Sequence, residues 1–197
     1  LYVWILYGLS TIGWITTKDF TGLIRYKKMG FIKKGKTYRQ EVFFLIGWKL
    51  LYYSYTLIIP IIMLPFAPWM VVLAFLTMHF VIGLSITVVF QTAHVMPGSA
   101  FPFPDENGLI AGDWAIHQLA TTTNYATNSR VFSWLIGGLN FQIEHHLLPD
   151  ICHVHYRKLS EIVAETAREF GLAYHTKKTF LGALWAHTKM LRHLGTC

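Results

Sequence analysis

The chain has 197 residues, of which 53% are hydrophobic, 16% aromatic and only 14% charged, against about 25% charged residues in a soluble globular domain. This composition excludes a disordered chain, a collagen-like repeat and a disulfide scaffold. The 17 Lys and Arg against 10 Asp and Glu give a formal charge of +7, which in a soluble protein points to a polyanionic partner. Here the distribution says more than the sum: cations crowd between Lys18 and Lys49, and Leu50 to Pro104 contains no Asp, Glu, Lys or Arg at all. That is the patterning of a bilayer-embedded chain, since one central Lys or Asp costs about 2.5–3.5 kcal/mol on insertion scales.

In chain order, Leu1 to Thr17 is apolar and aromatic but close to the lower limit of about 17 residues for crossing the hydrocarbon core. It reads as an interfacial segment or the end of a span. Leu1 is preceded by neither an initiator Met nor a basic leader, as expected of a truncated chain rather than a signal peptide. Lys18 to Lys49, with Arg25, Lys27, Lys28, Lys33, Lys34, Lys36 and Arg39 around Gly22, Gly30 and Gly35, reads as a basic surface loop, cytoplasmic by the positive-inside bias.

The uncharged stretch is long enough for two helices of about 20 residues. Pro65-Phe-Ala-Pro68 supplies a turn between a first span near residues 43–64 and a second near 69–90. His79 lies within the second span and is expected to be a neutral, hydrogen-bonded packing residue.

Beyond Pro104 acidic residues return. Leu159, Ile162, Val163, Ala167 and Phe170 fall on one helical face, predicting an amphipathic helix over 156–170 that Gly171 ends. A second such helix is expected over 179–194. The predicted organisation is an apolar segment and basic loop over 1–42, a transmembrane hairpin over 43–90 and a cytoplasmic helical domain over 91–197. The expected fold class is therefore all-α, an integral membrane helical protein.

Ten histidines occur, and few have informative spacing. In Gln142-Ile-Glu-His145-His146, positions i, i+3 and i+4 of a helix project from one face, bringing an amide and two imidazoles together. Such neutral N and O donors suit iron, copper, nickel or zinc better than calcium or magnesium. A helix cap or a hydrogen-bonded core role fits the same spacing. His94 sits at the cytoplasmic end of the second span, where an ionisable group marks either a functional site or an interfacial hydrogen bond. Cys152, His153 and His155 match no standard structural zinc spacing, and with only Cys152 and Cys197 present no CxxC pair exists. His117, His175, His187 and His193 have no partner spacing.

The phrases Asp113-Trp-Ala-Ile-His-Gln-Leu-Ala-Thr-Thr-Thr-Asn124 and Ser133-Trp-Leu-Ile-Gly-Gly-Leu-Asn-Phe-Gln-Ile-Glu-His-His-Leu-Leu-Pro149 resemble the membrane fatty acid desaturases, specifically the front-end branch (delta-5/delta-6, linoleoyl-CoA desaturase-like). Its third histidine box is of the type Q-x-x-H-H. The resemblance is specific from about Gln91 to Val163, while the first ninety residues agree only in hydropathy layout. It implies a di-iron enzyme that uses O2 to place a cis double bond in a fatty acyl chain, with Gln142, His145 and His146 as the box and His94 as the extra histidine before it. Electrons would come from a cytochrome b5 or ferredoxin type donor, and the substrate would be an acyl-CoA or an acyl-lipid.

Leu148 replaces the usual Phe of that phrase. The boxes HxxxH and HxxHH, and the His-Pro-Gly-Gly signature of a cytochrome b5 segment, do not occur in this sequence. The chain is therefore expected to carry part of a di-iron site and to be inactive alone. Rival readings are a di-iron hydroxylase or sphingolipid desaturase, and a non-catalytic membrane scaffold or sensor. A nucleic-acid partner is disfavoured, because the basic loop is flanked by apolar segments.

The hairpin is testable by accessibility. Single cysteines introduced as Lys34→Cys and Ala67→Cys are expected to label from opposite sides of the membrane. Equal labelling of both from the cytoplasmic side would overturn the two-span arrangement.

Overall fold

Residues 2–32, 37–110 and 112–196 are described by the computed structural model. They divide into two compact units, Leu1–Thr87 and Val88–Cys197.

In the first unit, helix α1 (Val3–Gly13) runs through a wide turn at Trp14–Lys18 into α2 (Asp19–Lys28). The basic loop expected from Lys18 is thus helical as far as Lys28, and the chain is helical again from Tyr38. The difference from expectation lies in the glycines, which do not all break the helix. Gly22 is in fact a tolerated mid-helix residue, and the first turn does not close until Gly30, which takes φ +75°. Of the predicted loop, Lys33, Lys34 and Lys36 lie outside the described residues.

Thr37 starts the next helix by a reciprocal cap: its hydroxyl accepts from the Gln40 amide at 3.3 Å, and Gln40 Oε1 accepts from the Thr37 amide at 2.9 Å. Helix α3 (Tyr38–Tyr53) passes through a second wide turn at Ser54–Ile58 into α4 (Ile59–Met63). Pro60 accounts for that turn, since its ring cannot donate to the ladder and crowds the carbonyl four residues earlier. After a short turn at Pro65, α5 (Pro68–His94) follows. The runs Tyr38–Met63 and Pro68–His94 are long and apolar enough to cross a membrane. Their apolar residues point outward, with Phe43 and Ile62 about three-quarters exposed. A helix buried in a soluble core would hide them.

Lys49, the deepest charge in the first run, is only 15% exposed. The wide turn at Trp14–Lys18 leaves a carbonyl without its usual partner, and Lys49 Nζ takes it, reaching Ile15 O at 2.5 Å and the Asp19 carboxylate at 2.8 Å. His79 is buried as expected. Thr11 donates its hydroxyl to the His79 carbonyl at 2.8 Å, so the 3.2 Å contact from His79 Nδ1 to Thr11 must have the ring as donor. Nε2 then accepts from Tyr52 at 2.7 Å. Close by, α1 meets α5 at glycines: a Cβ on Gly83 would lie 2.5 Å from the Gly8 carbonyl oxygen. Small residues allow this close backbone approach, as at helix interfaces in lipid.

In the second unit, α6 (Trp114–Thr121) begins at Asp113, whose carboxylate accepts from the Ala115 and Ile116 amides. Helices α7 (Arg130–Leu135), α8 (Gln142–Leu147), α9 (Tyr156–Glu169) and α10 (Phe180–Leu194) follow. The last two match the amphipathic helices read from the sequence, including the stop at Gly171, which has φ +66°. A two-residue parallel bridge joins β1 (Asn124–Tyr125) to β2 (Thr176–Lys177), a small departure from an all-α fold. Two apolar clusters hold the unit. One centres on Ala93, Met96, Tyr125 and Ala183, with the Phe132 and Phe180 rings 4.9 Å apart beside it. The other joins Leu119, Ile143 and Ala167.

The glycine contact yields a stability test. Gly83→Val should cost about 1–3 kcal/mol by forcing the helices apart, while Gly47→Ala, whose Cβ meets nothing within 4 Å, should be neutral or stabilising by up to about 1 kcal/mol. Unfolding of the purified chain in detergent measures both.

Candidate metal centre

The residues singled out by spacing all lie in the second unit, which begins at Val88 within α5. His94 closes α5, and Gln142, His145 and His146 lie on α8. The approach to α8 is set by Gly137 and Gly138, both at positive φ, with the Gly138 amide returning to Ser133 O at 2.7 Å. A Cβ at Gly138 would sit 2.8 Å from that of His153, so this turn admits only glycine. Asn140 is then pinned: its carbonyl accepts from the Tyr125 amide, and its side chain donates to Ser133 Oγ at 3.0 Å.

The structure brings three imidazoles together. The rings of His94 and His146 are 5.0 Å apart between centroids, and those of His145 and His146 are 5.8 Å apart. Each ring has one nitrogen engaged. His146 Nδ1 donates to Gln118 Oε1 at 2.7 Å, His145 Nδ1 lies 3.5 Å from the Tyr156 hydroxyl, and His94 is held by the backbone of Thr121. The remaining nitrogen of each is left as a potential donor of a lone pair, the arrangement that outer hydrogen-bond partners give to metal-binding histidines. Burial, aided by the neighbouring His94 and His145, pushes the His146 imidazole down to about 4, so it is neutral near pH 7, the form that binds metal.

Gln142 is buried on the same helix, and its Oε1 has no hydrogen-bond partner. A buried amide oxygen left unpaired costs on the order of 1–3 kcal/mol, which a cation would recover. Among the described residues, no group of three or more His, Cys, Asp or Glu is gathered tightly enough to hold a metal by itself. Imidazoles and an orphaned amide oxygen are nonetheless the donor types that fit part of an iron ligand set. His117, His153, His155, His175, His187 and His193 contribute no ring to the group. His187 is instead buried, with Nδ1 donating to Val95 O at 2.8 Å.

Spacing did not reveal what orients the group. Glu144, between the box residues, is fully buried, accepting from Asn124 Nδ2 at 2.7 Å and from the Tyr174 hydroxyl at 2.9 Å. Asn124 Oδ1 in turn accepts from the Ile143 amide at 2.9 Å, so α8 is tied at both backbone and side chain. Burial raises the Glu144 carboxyl, against the two hydrogen bonds that favour its charge. Burial, then the adjacent carboxylate, raises the Tyr174 phenol. Gln118, Asn124 and Glu144 all occur in the two phrases that carry the family resemblance, and that was the one available signal.

Asn124 Nδ2 also donates to the Tyr174 hydroxyl at 2.7 Å, so Glu144→Ala would leave one N–H of the Asn124 amide and the Tyr174 hydroxyl proton buried without an acceptor, an expected loss of about 2–3 kcal/mol. Glu144→Gln keeps one acceptor, and the rotatable Tyr174 hydroxyl can turn to receive the new amide, so its loss should stay below about 1 kcal/mol. Denaturation of the purified chain separates the two.

Comparison with known proteins agrees with the site. The fatty acid desaturase family model matches residues 1–178. The chain is 37% identical over 156 residues, 79% of its length, to the sn-1 linoleoyl-lipid 6-desaturase of Synechocystis sp.. It is 35% identical over 99% of its length to the acyl-lipid (8-3)-desaturase of Physcomitrium patens, and 33% identical over 99% to the Delta(5) fatty acid desaturase A of Dictyostelium discoideum. It spans 43%, 40% and 42% of those three proteins respectively. No solved structure matches it. With the family match running through both the helical hairpin and the histidine group, the chain belongs to the fatty acid desaturase family.

Proposed function

We propose that this chain forms the part of an acyl-lipid desaturase that carries its third histidine box, in a protein that crosses the membrane as a hairpin and presents the box on the cytoplasmic face. The observation that carries the reading is the grouping of the His94, His145 and His146 rings, with a buried, partnerless Gln142 oxygen on the helix that bears two of them. The names of the relatives, which act on linoleoyl-lipid and acyl-lipid, favour a lipid-linked acyl chain over acyl-CoA.

His94, His145, His146 and Gln142 would hold iron, which when bound with O2 supplies the oxidising power to take two hydrogens from an unactivated methylene pair. The overall balance is one O2, two electrons and two protons consumed, with two waters and one cis double bond formed. A cytochrome b5 or ferredoxin type carrier would supply the electrons. Gln118 fixes the His146 tautomer with its proton on Nδ1, leaving Nε2 as the nitrogen that would bind the metal. Glu144, through Asn124 and Tyr174, keeps α8 from rotating and so keeps His145 and His146 on one side. The neutral state of His146 spares the site a proton-release cost on loading.

The matched stretches cover only 43% and 40% of the first two relatives, so activity is measured on the full-length gene product, by gas chromatography of fatty acids from cells with matched protein levels. His145→Ala and His146→Ala should each abolish the product, and His175→Ala should not. Gln142→Ala should be severely impaired and Gln142→His tolerated. Wild-type product from His145→Ala would overturn the assignment. Metal analysis of the 197-residue chain is a separate check: holding part of a ligand set, it should not retain two irons tightly.

A further inference from the structure

Helices α7 and α10 both contribute side chains to one core. Phe132 and Ile136 of α7, and Phe180 and Ala183 of α10, all turn toward the cluster around Tyr125, with the Phe132 and Phe180 rings stacked at 4.9 Å. Each helix then turns its opposite row of side chains outward. Those rows are apolar: Val131, Trp134 and Leu135 on α7 are 70%, 78% and 66% exposed, and Leu181 and Trp185 on α10 are 76% and 62% exposed. Large apolar side chains left exposed on two helices that share a core make a surface of the kind that marks a contact.

The charges around it have one sign. From Trp114 to Ile143 the only charged residue is Arg130, and from Gly171 to the end the charges are Lys177, Lys178, Lys189 and Arg192, with no Asp or Glu. On α10, Leu181, Trp185, Lys189 and Arg192 follow at i, i+4, i+8 and i+11, all exposed. One face thus passes from apolar to basic along the helix, and Lys189 Nζ lies 5.5 Å from the Trp185 ring centre. Two tryptophans and two leucines on segments whose only charges are cations suit the boundary between acyl chains and anionic headgroups: indoles favour that depth, and each cation contributes about 1 kcal/mol there. An acidic protein would match the cations but offers less reason for so large an apolar area.

We propose that α7 and α10 form a second membrane contact, in which Trp134, Leu135, Leu181 and Trp185 enter the interfacial region of an anionic bilayer and Arg130, Lys178, Lys189 and Arg192 meet its phosphates. This contact does not depend on the metal site or on the substrate. It gives the second unit its own attachment to the membrane surface.

Spin labels test it on the 197-residue chain, carrying Cys152→Ser and Cys197→Ser, in nanodiscs holding one chain each. Labels are introduced singly as Trp134→Cys, Leu181→Cys and, as a water-facing reference on α9, Glu161→Cys. In discs of phosphatidylcholine with phosphatidylglycerol, collision with oxygen relative to a water-soluble nickel chelate should be at least about threefold higher at 134 and 181 than at 161. Phosphatidylcholine alone should lower that excess at least about twofold, as should Lys189→Glu with Arg192→Glu. Nickel access at 134 and 181 equal to that at 161 would overturn the proposal. So would exclusion of both reagents, which would mean that protein covers the face, and so would indifference to headgroup charge. Because two positions on separate helices are read independently, a misfolded variant at one does not decide the outcome.

Discussion

A carboxylate without a cation partner, buried where water cannot reach it, is the point on which the second unit turns. Glu144 accepts from Asn124 and Tyr174, and Asn124 holds the first turn of α8 by accepting from the Ile143 amide. The same Asn124 belongs to β1, which pairs with β2 just beyond Tyr174. One network therefore spans three segments that are far apart in sequence. Satisfied networks of this kind specify a single arrangement, because every alternative strands a polar group in a low-dielectric interior. The histidine geometry follows from it, since rotating α8 would break the network before it moved the imidazoles.

How much of this could be read beforehand depended on the range of the interaction. The two long apolar helices were legible because the absence of charge marks every residue of a long stretch, and the structure moves their ends by only a few residues, to Tyr38–Met63 and Pro68–His94. The Gln142, His145 and His146 spacing was legible because helical periodicity is local. The partners were not. Gln118 meets His146 across 28 residues and Tyr174 meets Glu144 across 30, and nothing in either local sequence names the other. Lys49 was read simply as the end of a basic region, whereas its ammonium satisfies a carbonyl released 34 residues earlier.

The wide turns at Trp14–Lys18 and Ser54–Ile58 explain a subtler failure. Each adds about one residue to a helical turn and so rotates all that follows by about 100° relative to what precedes it. A face traced at a fixed 3.6-residue period through either turn loses its phase. The helix from Val3 to Lys28 therefore resisted a single reading and was divided into an apolar segment and a loop.

The bonds around His79 have a fixed polarity with a consequence of its own. Thr11 has spent its only proton on the His79 carbonyl, the ring has spent its own on Thr11, and Tyr52 has spent its proton on the ring. No member has a hydrogen to hand onward, and the last acceptor in the series is a carbonyl on the same residue that holds the imidazole. Although it places a titratable ring in an apolar helix, the series is a closed clasp and not a conduit. It fastens three helices together, and it offers a proton no route along them.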